Sequence, residues 1–222
     1  AIVLIWPPVW AQAQDITIPS GTTVTTTQEI TADGEGVTIE KGGSIDTVAS
    51  SVRAVEGTAN NQTFTNHGLI DSGDTGLRSN GDDADINNSG TINAENFGIR
   101  SEGARTAINN SGTIHSIEIG IRSDGDHAVI TNTGIVNGDS QGTVVDIHGI
   151  RLGGAYATVI NRGTIVAEED GIFAAGDHAL IINRGTTKGG VAGIGSQGDY
   201  ATVINAGRAV TGDGSGAIKL AG

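Results

Sequence analysis

Apolar and polar residues alternate in this chain over short runs, and the runs recur on a fixed spacing. Each Asn-x-Gly triplet serves as a marker. Ile86, Ile108, Ile130, Val159, Ile181 and Val203 stand two residues before its Asn, and small residues (Ala84, Thr106, Ala128, Ala157, Ala179, Ala201) stand four before. Ile92, Ile114, Val136 and Ile165 stand four after, continued more weakly by Thr187 and Ala209. A further run opens on a glycine, as in "GIR" at 98, 120 and 149, and carries Leu77, Ile99, Ile121, Ile150, Ile172 or Ile194. Alternation of this kind predicts strands, here three short ones per repeat with one or two inward side chains each.

The marker asparagines are Asn66, Asn88, Asn110, Asn132, Asn161, Asn183 and Asn205, separated by 22, 22, 22, 29, 22 and 22 residues. "INNSGTI" occurs identically at 86–92 and 108–114. The long step contains extra residues around "GDSQGTVVD" (138–146) and then resumes in register, as a stacked array does when one coil carries a loop. Leucine-rich repeats share the period range, but their Leu-x-x-Leu-x-Leu pattern is missing. Tandem Gly-Gly-x-Gly-x-Asp nonapeptides and a period of six are missing too. The fold class predicted is all-β, a right-handed parallel β-helix: a solenoid of ~22 residues per coil with an Asn ladder, the hand following from the usual chirality of parallel crossovers. Seven or eight coils at ~4.8 Å would make a rod ~35–40 Å long.

A repeated Asn suits a sharp bend for two reasons. It tolerates the left-handed conformation, and its amide can donate to one neighbour while accepting from the other. The following Gly supplies positive φ or close backbone approach. The column of Asn residues is therefore structural.

Composition supports this picture and narrows the function. Gly is 36 of 222 residues, Pro only 3 and aromatics 3%, which implies many tight turns and a core without large rings. A net charge of −13 disfavours nucleic acid and anionic lipid as partners. Absence of Cys excludes disulfides, thiolate metal sites and a Cys nucleophile. The opening "AIVLIWPPVWAQAQD" reads as the residual tail of a secretory signal peptide over residues 1–13, with cleavage after Ala13. Residues 14–49 ("ITIPSGTTVT", "GVTIEKGGSID") fall outside the 22-residue frame and are expected to be an N-terminal cap of irregular strands. Residues 50–222 are the β-helix repeats, expected to be truncated because "GAIKLAG" stops just after the next coil's glycine.

The consensus "GI-x-x-x-G-D-x-A-x-x-I-N-x-G-T-I", best seen at 120–132, 171–185 and 193–207, resembles the passenger region of Gram-negative autotransporters. The resemblance covers roughly residues 50–222 and is specific to architecture, not to any activity. It implies type V export, display at the cell surface or outer membrane or release from it, and an outer-membrane β-barrel in the full-length chain. It also implies a non-catalytic adhesin or surface-display stalk, with a host or cell-surface glycan or protein as partner. Oligomeric state is not indicated.

Candidate chemistry is sparse. The alternative function is a secreted polysaccharide lyase or hydrolase of the β-helix type, for which "DIHGIR" offers Asp146, His148 and Arg151 as catalytic candidates. No second carboxylate is evident at a matching column, as acid/base work on a glycosidic bond needs. Glu168, Glu169 and Asp170 read as a solvated turn. The Asp column six before the Asn (Asp82, Asp126, Asp177, Asp199) is interrupted by Ala104 and Ala155, so no metal site is expected, and no cofactor. Arg78, Arg100, Arg122 and Arg151 form an outward stack that Glu102 and Asp124 can balance. Five before the Asn stand Asp83, Arg105, His127, Tyr156, His178 and Tyr200. Beside the last three the outward face turns apolar (Ile160, Leu180, Ile182, Ile204), which is expected of a face covered by a downstream segment or by the 138–146 loop; the alternative is that Tyr156, His178 and Tyr200 are binding residues, a stacking strip for sugar rings or a partner protein.

Overall fold

A computed structural model of the chain describes residues 14–139, 147–212 and 217–221. Among these, three parallel sheets of nine strands each run the length of the molecule. The first begins at Ile16–Ile18 and ends at Thr202–Asn205; the second runs from Thr23–Val24 to Arg208–Thr211; the third from Gln28–Ile30 to Ile218–Leu220. Successive strands in sequence visit the three sheets in turn, so every third strand pairs with its predecessor one coil earlier. This is a parallel β-helix of nine coils.

One coil shows how the pattern produces the fold. Asp85–Asn88, Thr91–Ala94 and Phe97–Ser101 each turn one Ile inward, and Ile86, Ile92 and Ile99 are fully buried. Ile86 pairs with Phe64 behind and Ile108 ahead, Ile92 with Ile70 and Ile114, Ile99 with Leu77 and Ile121. The interior is thus three aliphatic columns meeting along one axis. Each fully buried Ile contributes roughly 1.5–3 kcal/mol, and its β-branch fits the pleated surface without large rings.

Two details depart from the sequence-based expectation. Residues 14–49 lie outside the 22-residue period, yet they pair in register: Ile16 with Val37, and Val37 with Phe64. They lengthen the stack by two coils, to nine, with steps of 21 and 27 residues (37 − 16 and 64 − 37). The longer step accommodates the short 3₁₀ turn Val48–Ser50. Register survives changes in coil length because the strands on either side of a longer bend still pair with their counterparts one coil away. The insertion around 138–146 obeys the same rule, since Ile121 pairs with Ile150 beyond it; residues 140–146 lie outside the described residues.

The second departure concerns the Asn-x-Gly corner. The Asn ladder is present, with each Nδ2 donating to the Oδ1 of the next: Asn66 to Asn88, Asn88 to Asn110 and Asn110 to Asn132 at 2.8 Å, Asn132 to Asn161 at 2.9 Å, Asn161 to Asn183 and Asn183 to Asn205 at 2.8 Å. Its members end strands of the first sheet and are not left-handed. The second amide hydrogen goes to a carbonyl of the next coil, as from Asn110 to the Ile135 oxygen at 3.2 Å. The backbone carbonyl of Asn88 in turn accepts from the amides of Ser111 and Gly112. The ladder therefore satisfies the buried bend completely, which is why Asn recurs. The glycine is required by proximity alone: a Cβ on Gly112 would lie 2.1 Å from the Gly90 carbonyl oxygen.

Asn110→Ala should therefore leave one Asn88 amide hydrogen and the Asn132 Oδ1 buried without the ladder partner that Asn110 supplies. A loss of roughly 2–4 kcal/mol is expected in denaturant unfolding. Asn205→Ala, at the exposed end of the ladder, should cost less than about 1 kcal/mol by the same measurement. Equal losses at the two positions would contradict the ladder's role.

Candidate functional site

Left-handed backbone is concentrated five residues before the ladder. Asn61, Asp83, Arg105, His127, Tyr156, His178 and Tyr200 all have φ between 56 and 58°. The bend owes its shape to bonds between coils: the amide of Tyr156 donates to the Asp177 carbonyl, and that of His178 to the Asp199 carbonyl. Such a conformation costs a side-chain-bearing residue roughly 1–2 kcal/mol, and Gly or Asn would relieve it. Asn61 and Asp83 follow that preference; the later members do not.

What occupies the column instead is interaction between coils. Arg105 donates to both carboxylate oxygens of Asp83, at 2.7 and 2.8 Å, and this bond holds the Asp83 carboxyl below the ordinary carboxylate range. From His127 onward the side chains form an aromatic stack. Ring centroids are 5.1 Å apart for His127–Tyr156, 4.7 Å for Tyr156–His178 and 5.0 Å for His178–Tyr200, with planes within 5–10° of parallel. The three predicted binding residues are therefore neighbours. Tyr156 is 53% exposed and Tyr200 78%. Tyr156 and His178 cover each other's faces, so they offer ring edges and the Tyr156 hydroxyl outward, while Tyr200 ends the stack. The adjoining face of the first sheet carries exposed Val129 and Ile204 and half-buried Ile160, Leu180 and Ile182.

The second candidate lies on the third sheet. Of Asp146, His148 and Arg151, the first falls outside the described residues. His148 is buried at 4% exposure, and its ring stacks on Phe173 at 4.7 Å; Arg151 pairs in register with Phe173 and is half-buried. The carboxylate missing from the sequence reading stands one coil on. Ile150 pairs with Ile172, which puts Asp170 in register with His148. His148 Nδ1 is 3.9 Å from Asp170 Oδ2, and its Nε2 is 3.8 Å from Glu169 Oε2. Glu169 also accepts from the Ile147 amide at 3.1 Å. The expected solvated turn is thus only partly solvated: Glu168 is exposed, but Asp170 is 8% exposed and its Oδ1 has no hydrogen-bond partner. Adding the period to 148 is the signal that would have found it. Burial pushes the Asp170 carboxyl above the ordinary range and Glu169 adds to this; His148, the Ala192 amide and Lys219 oppose it.

The remaining columns are structural. Asp82 accepts from the Ala104 amide, Asp126 from that of Ala155 and Asp177 from that of Asp199, at 2.8–2.9 Å. The arginine stack is charge-balanced: Glu102 receives Arg78 at 3.0 Å and Arg100 at 2.7 Å, and Asp124 receives Arg122 at 2.8 Å. Arg100 and Arg122 also lie 5.3 and 5.8 Å from the Phe97 ring centre. Among the described residues no group of three or more His, Asp or Glu is placed to hold a metal ion.

The class defined by these observations is a parallel β-solenoid with a buried Asn ladder. Comparison with protein-family models, curated proteins and solved structures gives no match.

Asp170 yields a pH-dependent expectation. The folded state holds its proton more tightly than the unfolded chain does, so the group favours folding at low pH. That contribution is lost as pH rises from the unfolded carboxylate value of about 3.9 through the raised folded one. Asp170→Asn should raise the melting temperature by a few degrees at neutral pH and leave it unchanged near pH ~3. Thermal denaturation across that range checks both signs.

Proposed function

We propose that this chain is a non-catalytic, exported β-helical passenger segment of an autotransporter-like surface protein of a Gram-negative bacterium, acting as an adhesin or display stalk. The observation that supports the reading is the exposed aromatic column of Tyr156, His178 and Tyr200, built on backbone that glycine would adopt more cheaply. Stacking between coils offsets only part of the backbone cost of tyrosine there, so its exposed side chain is read as serving a partner. The adjoining apolar face widens the contact area. The partner is a host or cell-surface protein or glycan, met by ring edges, the tyrosine hydroxyls and the end face of Tyr200. Attachment through an outer-membrane β-barrel in the full-length chain, and the export route itself, belong to the same proposal.

A secreted polysaccharide-degrading enzyme is the second reading. What favours it is the placement of His148, Glu169 and Asp170 beside Arg151 in one cleft. Release of reducing ends or unsaturated uronates from acidic glycans would establish it in place of the first.

For the adhesin reading, the purified chain should compete with intact cells for host-cell binding. Tyr156→Ser with Tyr200→Ser should weaken that competition by about tenfold, the scale of losing two exposed aromatic contacts. Undiminished competition by a folded double variant would rule the aromatic column out as the contact surface.

A further inference from the structure

Positive charge is distributed unevenly over the coils. Residues 158–167, 180–189 and 202–211 hold four cations, Arg162, Arg184, Lys188 and Arg208, and no Asp or Glu. The corresponding stretches of the three coils before them, 85–94, 107–116 and 129–138, hold no Lys or Arg. All four cations are exposed, and among the described residues none has an ion-pair partner. Arg162 and Arg184 directly follow the paired Asn161 and Asn183, one coil apart at ~4.8 Å. The third sheet handles its arginines otherwise: Arg78 and Arg100 share Glu102, and Arg122 binds Asp124. Like charges facing each other across neighbouring strands repel, so a row without carboxylates costs stability.

These side chains border a channel with no side chains of its own. Between the first and second sheets each coil turns on a glycine, and Gly163, Gly185 and Gly207 lie one behind another. A Cβ on any of them would come within 2.1–2.2 Å of the carbonyl oxygen of the glycine one coil earlier, so the floor stays bare. Arg162 and Arg184 stand on one rim. Thr164, Thr186 and Arg208 stand in register on the other, and the two threonine hydroxyls make no hydrogen bond within the described residues. In the earlier coils the same corner is an open groove of about 510 Å³ along Gly43, Gly68, Gly90 and Gly112.

The arrangement specifies a linear anionic ligand that also carries hydroxyls. A guanidinium forks onto an oxyanion through two parallel bonds, and three arginines on successive coils can hold such groups in a row. Arg162 and Arg208 are two coil spacings apart along the axis, ~9.6 Å, close to the length of one disaccharide. The threonine hydroxyls between them can meet a sugar's own. Nucleic acid would call for rings on which bases stack, and the six strands bordering the channel here contain none. An anionic bilayer would also approach exposed Asp177, Asp199 and Glu168 at the outer ends of the two sheets. A single polymer strand stays within a Debye length, ~8 Å, of the corner, where most of the chain's net charge of −13 is screened from it.

We propose that this glycine-floored corner is a binding groove for a linear anionic polysaccharide, its sulfate or carboxylate groups held by Arg162, Arg184 and Arg208. The groove shares no residue with the aromatic column, and its occupancy does not depend on the adhesin reading.

The test is calorimetric titration of the purified chain at physiological ionic strength with heparin, hyaluronan, neutral dextran, oligothymidylate and phosphatidylglycerol vesicles. Heparin or hyaluronan should bind and dextran should not, with affinity falling steeply as salt is raised. Arg162→Ser with Arg184→Ser should weaken binding by about tenfold and flatten the salt dependence. Serine holds the same corner position at 89 and 111, so this variant keeps the fold. Ala206→Arg, which extends the row by one coil, should tighten binding by about threefold. Lys41→Gln with Arg105→Gln removes the same charge elsewhere and should leave affinity unchanged. The proposal is overturned if neither heparin nor hyaluronan binds, if dextran, oligothymidylate or the vesicles bind as tightly, or if affinity survives in the double serine variant.

Discussion

Each strand of this molecule pairs with its counterparts one coil away, and the spacing of a parallel sheet, about 4.8 Å, holds for every residue along the axis. A side chain at any angular position therefore touches its equivalents before and behind. What can be tolerated at a position depends on what stacks on itself at that distance. Ile does, and fills the axis through Ile86, Ile108 and Ile130. Asn does, because it carries a donor and an acceptor and can pass a hydrogen bond along. Arg does not without help, and Arg78 and Arg100 are held together by the carboxylate of Glu102 between them.

The same constraint accounts for the unusual column at the left-handed bend. Asp83 and Arg105 meet as an ion pair, and His127, Tyr156, His178 and Tyr200 as a stack. Stacking offsets part of the backbone cost of each non-glycine residue there, but it does not explain why the cost is incurred at all. On the third sheet the constraint works in the opposite sense. Gly195 has no side chain to stack on Phe173, and the Asp170 carboxyl and the edge of the Phe173 ring close over it instead.

The architecture was legible from residue spacing because it is repetitive: three inward columns and an Asn column every 22 residues admit few other folds. The candidate sites were legible only in part. Tyr156, His178 and Tyr200 could be picked out by column and by the apolar turn of their neighbours. Their left-handed backbone could not, and the left-handed role expected of Asn66 and its successors belongs to them. Asn61 and Asp83 were the available clue, since short polar residues favour that conformation. Residues 14–49 lack the period because their bends differ in length, while their strands still pair in register.

Period, pattern and composition were enough for the solenoid, its three-sided core and the asparagine ladder, because each depends on what a residue does with its own copies at a known separation. Burial of Asp170 against His148, the packing of Asp170 and Phe173 over Gly195 and the parallel rings of the aromatic column depend on neighbours of different type around the coil. Those neighbours meet from different positions around and along the coils, and a repeat of like residues does not prescribe which unlike ones come together. Chemistry between unlike residues is therefore a property of the assembled coils, while the coils themselves were already written in the spacing of like ones.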